Sequence, residues 1–169
     1  GPARVSVVND ALEYRLSGGA ANSDQNAALG GAISSNQLVN SATENLFANA
    51  SVSEADSGAT KYRCIYLYNA GAGTITEFGL YIGTPTPSPS TKIFIGKGSF
   101  NSVEQAVATE DTAPANITFT YPLSEASALS LPDLAPGDFL AIWIRRDVTG
   151  GAEGAVGDYA RIIPKGIIV

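Results

Sequence analysis

The sequence predicts an all-β protein, an antiparallel β-sandwich of Ig-like or jelly-roll-like type in which helix is limited to single turns. Three observations carry that expectation. No window of helical length keeps an apolar i, i+3, i+4, i+7 stripe. Apolar runs of strand length recur instead, with Gly, Pro, Asn and Ser between them, which is the spacing of a sandwich or barrel. Two stretches, residues 61–83 and 129–146, each read as a pair of strands joined by a short turn. The segments together make seven to nine strands.

In chain order, residues 12–16 (LEYRL) form a first strand that leads into residues 17–35, a small and polar run unable to supply much core. That run is expected to be an ordered, irregular loop crossing the surface, tacked down by Ile33, Leu38 and Val39. Helical turns are allowed at residues 53–57 (SEADS), capped by Ser53 with Asp56 three residues on, and at residues 102–108 (SVEQAVA). Residues 61–69 and 74–82 form a hairpin round Asn69-Ala70-Gly71-Ala72-Gly73, whose glycines permit the positive φ of tight loops. In its second strand Phe78, Leu80 and Ile82 alternate with Glu77, Gly79 and Tyr81, so the first three face the core. The first strand is apolar on both faces: Ile65 and Leu67 on one, Tyr62, Cys64, Tyr66 and Tyr68 on the other. Such a strand belongs at the centre of its sheet, with its second face covered by the N-terminal segment or by another chain.

Residues 84–90 (TPTPSPS) place prolines at 85, 87 and 89, which fix φ and remove donors, so this is a stiff, exposed connector. Residues 92–96 (KIFIG) and 117–121 (ITFTY) are the next strands. Leu129 and Leu131 end another, Pro136-Gly137 turns, and residues 139–146 run back with Ile142 and Ile144 on one face and Ala141 and Trp143 on the other. A Gly-rich loop at 149–158 precedes a last strand at 159–163, which Pro164 breaks, leaving residues 165–169 (KGIIV) as an apolar tail with no evident partner. Gly1 and Pro2 read as the scar of a cleaved expression tag, and residues 3–169 as one domain.

Composition narrows the chemistry. The chain has no histidine, which removes Ser-His-Asp and Cys-His nucleophilic sites, His-ligated metals and the usual general base. Its single cysteine, Cys64, forbids an internal disulfide and thiolate clusters, and within a strand pattern it reads as a small buried apolar side chain. The net charge of −6, with the basic residues scattered, argues against nucleic acid. No apolar run has membrane-spanning length. A two-carboxylate glycosidase pair needs only acids, of which there are sixteen, and nothing picks out a pair. The expectation is no enzyme and no cofactor.

Weaker motifs resolve the same way. Gly96-Lys97-Gly98-Ser99 and the Gly151, Gly154, Gly157 spacing lack the setting of a phosphate site and read as loops. Asn22, Asp24 and Asn26 alternate like the first ligands of a calcium loop, but Ile33 stands where the bidentate acid belongs, so an Asx-rich turn is expected. Asn49-Ala50-Ser51 and Asn116-Ile117-Thr118 match the glycosylation pattern at chance level. Arg145 and Arg146, with Asp147 beside them, read as a local ion pair at a strand end.

The run SGGAANSDQNAALGGAISS, then KYRCIYLYNAGAGTIT, then PDLAPGDFLAIWIRR resembles a family of small β-rich virion structural proteins of tailed bacteriophages, over about residues 16–148. The resemblance implies a role in the particle: head decoration, or a tail or baseplate component, acting by self-association and docking on other virion proteins. YRCIYLYNAGAGTIT and LAPGDF are also similar to segments of Ig-like spacer and adhesion modules, which bears on fold alone. The alternative is a carbohydrate-binding module that grips a host-surface glycan, for which a cluster of exposed aromatics is the discriminating feature. Trp143 lies mid-strand, favouring the structural role, while Tyr68, Tyr81 and Tyr121 keep the glycan role open. More apolar surface is present than a two-layer core hides, so an interface is expected at Tyr62, Tyr66, Tyr68 and Trp143 and at Ile167, Ile168 and Val169.

Overall fold

The computed structural model describes residues 11–38, 46–47, 50–84, 90–151 and 160–169. Its centre is a pair of long strands, β3 (Ala59–Asn69) and β9 (Phe139–Val148), aligned without a register shift from Ala59↔Val148 to Tyr68↔Phe139. With β1 (Leu12–Leu16), β5 (Thr91–Phe100) and β7 (Phe119–Thr120) they make a five-stranded sheet in the order β1-β3-β9-β5-β7. A second sheet, β10-β4-β8, comprises β4 (Ile75–Thr84), β8 (Leu129–Ser130) and β10 (Arg161–Ile168). A small pair joins β2 (Gly30–Gly31) to β6 (Glu104–Ala106). All these pairings are antiparallel.

The expected side-chain parity holds. Ile65, Leu67, Leu140, Ile142, Ile144 and Ile95 face Ile75, Phe78, Leu80, Leu131 and Leu134 in one buried core between the two larger sheets. The opposite face of β3 and β9 carries a second core of Tyr62, Cys64, Tyr66, Ala141 and Trp143, packed against Ile33, Val107, Ile117, Phe119 and Phe139. The chain's own segments therefore cover that face as a third layer.

Both strand-turn-strand stretches differ from the expected hairpins. β3 and β4 lie in different sheets, and so do β8 and β9. Each connection crosses between layers, because β1 and β9 already occupy the two edges of β3, β3 and β5 those of β9, and the Ile65/Leu67 face meets β4 face to face. Asn69 holds both crossings together. Its buried Nδ2 donates to Gly73 O and Leu134 O, each at 2.8 Å, and its Oδ1 accepts from Gly71 N at 2.9 Å. Its backbone pairs with Asp138 O and Gly137 N.

Other local outcomes also depart from expectation. The short helix α1 (Val52–Ser57) is capped by Ser51, not Ser53, in a capping box with Glu54. Residues 104–106 form strand β6 instead of helix, since Glu104 and its backbone are recruited to the second core. Gly96 to Ser99 lie inside β5, not in a loop, and residues 17–35 include a 3-10 turn, Gln25–Ala27, besides β2. Short pieces such as β2, β7 and β8 bring the described strands to ten.

Pro164 does not end the last strand; β10 continues to Ile168 and pairs with β4. Ile82 N donates to Pro122 O at 2.7 Å, away from β10, and by alternation Leu80 N points the same way. Pro164, opposite Leu80, thus turns its missing N–H toward the outer edge, where a proline is tolerated. The KGIIV tail is accordingly partnered, with Val169 N and O bonded to Thr74 O and N at 2.9 Å. The TPTPSPS prolines, Val39 and Tyr159 lie outside the described residues.

Truncating Leu80 or Ile142 to Ala is expected to cost about 2 to 5 kcal/mol by denaturant titration, whereas Thr76→Ala and Glu77→Ala should each cost less than about 1 kcal/mol. Asn69→Asp keeps the acceptor but removes both donors, leaving Leu134 O and Gly73 O without this partner. A loss of about 2 to 3 kcal/mol is expected in the same assay.

Candidate functional site

The second core is polar at its heart, and its polar groups act as pins. Trp143 Nε1 donates to Glu104 Oε2 at 2.7 Å, and Glu104 Oε1 accepts from Gln105 N. Tyr66 hydroxyl donates to Gly31 O at 2.6 Å and accepts from Glu104 N at 3.0 Å. Ser17 hydroxyl bridges Cys64 O and Gly30 N, while Cys64 N bonds Ala28 O. Gly98 is needed at this point because a Cβ there would collide with the Glu104 carboxylate. Burial, reinforced by the Glu104 charge, raises the Cys64 thiol, and burial pushes the Tyr66 phenol up to about 12, so neither is poised as a nucleophile or base.

Four charged groups clasp the third layer to the edge of β3 beyond the reach of β1. Lys61 Nζ lies 2.6 Å from Glu54 Oε2 and 3.1 Å from Glu110 Oε2, and Arg63 Nη2 lies 2.8 Å from Glu110 Oε1. Buried Arg63 also donates to Leu46 O, Tyr62 O and Asn26 Oδ1. The Lys61 hydrogen bond holds Glu54 down to about 2, and the pairing with Glu54 raises Lys61. Burial alone would raise Glu110, but its bonds from Arg63 and Lys61 outweigh that and lower it.

Of the residues expected at an interface, Tyr62, Tyr66 and Trp143 are buried within the chain. Tyr68 is half-buried, with Arg15 Cζ 4.0 Å from its ring centre. Ile168 packs against the first core, Ile167 is half-buried on β10, and Val169 remains 72% exposed. Asn22 and Asp24 form two successive Asx turns, and Asn26 Oδ1 is taken by Arg63. Asn116 is exposed at φ 59°, whereas Asn49, Gly154 and Gly157 fall outside the described residues. Among the described residues no group of three or more His, Cys, Asp or Glu is placed to hold a metal, and no helix is long and apolar enough to cross a membrane. An open depression of about 420 Å³ over β4 and β8 gathers Glu77, Glu125 and Asp133 round Lys165.

What the sequence did not bring together is a row of rings and cations on the outer face of the five-stranded sheet. Cross-strand register sets Tyr62 on β3, Arg145 on β9 and Phe94 on β5 side by side, with Lys92 beside Asp147 in the next row. Arg145 Cζ stacks 4.1 Å from the Phe94 ring centre and 5.2 Å from that of Phe119. Phe94 continues to Tyr121 at 5.2 Å, and Lys92 Nζ lies 5.6 Å over the Tyr121 ring. Tyr62 meets Phe119 at 5.7 Å. Arg145 Nε stands 3.2 Å from Asp147 Oδ1, and both of these atoms are buried, while the two side chains keep 26% and 35% of their surface exposed through their other atoms. The expected local ion pair is present for Arg145 and forms one end of this larger row. A period-2 signal in KIFIG and LAIWIRR puts each residue on its face, but only strand order makes them neighbours.

No family model, curated protein or solved structure matches the chain.

The clasp makes stability acid-sensitive. Glu54 and Glu110 are lowered in the folded state from an ordinary value of 4.5, so their stabilisation is present above that value and lost as pH falls below it, for Glu54 toward about 2. Fluorescence of the sole tryptophan during an acid titration should report the transition, and Glu54→Gln with Glu110→Gln should flatten its acid limb.

Proposed function

We propose that the chain is a non-enzymatic structural and interaction component of a tailed-bacteriophage virion, on the head surface or in the tail or baseplate, working by self-association and docking on other virion proteins. The observation that carries this reading is how its reactive side chains are used. The side chains of Tyr66, Glu104 and Trp143 are committed to internal pins of a three-layer body, and the Cys64 thiol is buried beside them. Such a body is suited to presenting surfaces rather than enclosing a substrate. The setting is taken from the sequence resemblance of about residues 16–148 alone. With the tyrosine and tryptophan face buried, the large apolar groups left exposed for contacts among the described residues are Phe100, Val103, Leu123 and Val169.

A second reading, a binding module for host-surface glycan, is favoured by one specific observation, the half-exposed row from Lys92 to Phe119. Rings at a solvent-facing surface are what a sugar site requires.

Light scattering at micromolar concentration should give a dimer or trimer, and antibody to the chain should label intact particles. A monomer that neither labels nor binds the particle would remove the first reading. Charged substitutions at Phe100 and Val103 should lower the association state without shifting the melting temperature.

A further inference from the structure

We infer that the row formed by Lys92, Tyr121, Phe94, Arg145 and Asp147 is a binding site for an acidic saccharide, a glycan carrying uronic or sialic acid carboxylates. The inference rests on the glycan reading above and narrows it to a ligand class. Three features of the row match that chemistry together. Tyr121 and Phe94 stand 5.2 Å apart with their rings tilted by 41°, supplying the aromatic surface on which the C–H face of a sugar ring packs. Lys92 and Arg145 supply two cations beside those rings, in a chain whose net charge is −6. Asp147, whose Oδ1 is buried 3.2 Å from Arg145 Nε while its side chain is 35% exposed, leaves its other carboxylate oxygen, Oδ2, as an acceptor for sugar hydroxyls.

The arrangement is also preorganised. A guanidinium stacked on a ring keeps its N–H groups in plane, and with Nε buried beside Asp147 the terminal Nη1 and Nη2 of Arg145 are the edge left for a two-bond fork to a carboxylate. Arg145 is held in this attitude by the rings of Phe94 and Phe119 and by Asp147. Its strand, β9, is paired on both sides, by β3 and β5, so little conformational freedom remains to be lost on binding. Charge decides against a single-stranded nucleic acid on the same rings. Tracking a phosphate backbone needs a succession of cations, whereas this row offers Lys92 and Arg145 with Asp147 directly beside them.

The test is calorimetric titration of the purified chain with oligogalacturonate, oligomannuronate and sialyllactose, set against maltohexaose, lactose and a short oligothymidylate. At least one acidic saccharide should bind with a Kd below about 1 mM, and the neutral sugars at least about tenfold more weakly. Lys92→Gln, at an exposed position, and Tyr121→Ala, at a half-buried one, should each weaken that binding about tenfold, the first with the melting temperature unchanged and the second with the chain still folded. Arg145→Lys, which keeps the charge but removes the fork, should weaken it as well, and added salt should do so for the wild type. Binding of neutral and acidic sugars with equal strength, lost on Tyr121→Ala, would overturn the acidic assignment and leave the glycan reading standing. Absence of binding by every sugar would remove both. Preference for the oligothymidylate would transfer the row to nucleic acid, and acidic-sugar binding untouched by all three substitutions would place the site elsewhere.

Discussion

β3 and β9 present apolar side chains on both faces, and two sheets alone can bury only one of them. Ile65, Leu67, Leu140, Ile142 and Ile144 are satisfied by the second sheet, but Tyr62, Cys64, Tyr66, Ala141 and Trp143 need a cover of their own. Burying a Trp or Tyr is favourable only if its polar atom finds a partner, because an unpaired buried donor costs about 1 to 3 kcal/mol. The third layer supplies both requirements at once. Glu104 receives the indole N–H, Gly31 receives the phenol, and Ile33, Val107 and Ile117 close over the rings. The small β2–β6 pair and the closely packed glycines follow from that demand.

The same central strands govern how the chain travels between layers. With both edges of β3 occupied, the segments on either side of it cannot fold back as hairpins, so they cross to the second sheet, and Asn69 fastens the two crossings to each other. One consequence reaches the far side of the molecule. Because β9 is paired along its whole length, Arg145 occupies a fixed place in a row drawn from separate strands. β10, at the other margin, needs no inner donor from Pro164, and its apolar residues are spent on β4 and the first core.

The polar chemistry of the molecule divides into two kinds. Groups inside the second core and the Glu54–Lys61–Glu110–Arg63 clasp are consumed in holding layers together, and their perturbed protonation follows from burial or mutual pairing rather than from preparation for catalysis. The outer row is different. Lys92, Phe94, Tyr121, Arg145 and Asp147 keep part of their surface exposed and contact one another along the sheet, meeting the second core through Tyr62 and Phe119. That contrast is the ground of the role proposed above, in contact and recognition.

The sequence by itself determined the fold class and the facing of the long strands. Period-2 alternation in residues 61–69, 75–82 and 139–146 fixes which side chains share a face, because successive residues of a strand must point oppositely. It also showed that β3 belongs at the centre of a sheet and that Cys64 is buried. Strand partnership was beyond it. A glycine-rich turn between two alternating segments is common to hairpins and to crossings between layers, and the difference lies in distant strands competing for the same edge. For the same reason Pro164 could not be placed on an outer edge, residues 104–106 were open to a helical reading, and Lys92, Phe94, Phe119, Tyr121 and Arg145 stayed unconnected. Each of those outcomes depends on pairing between segments far apart in the chain, which only the tertiary structure decides.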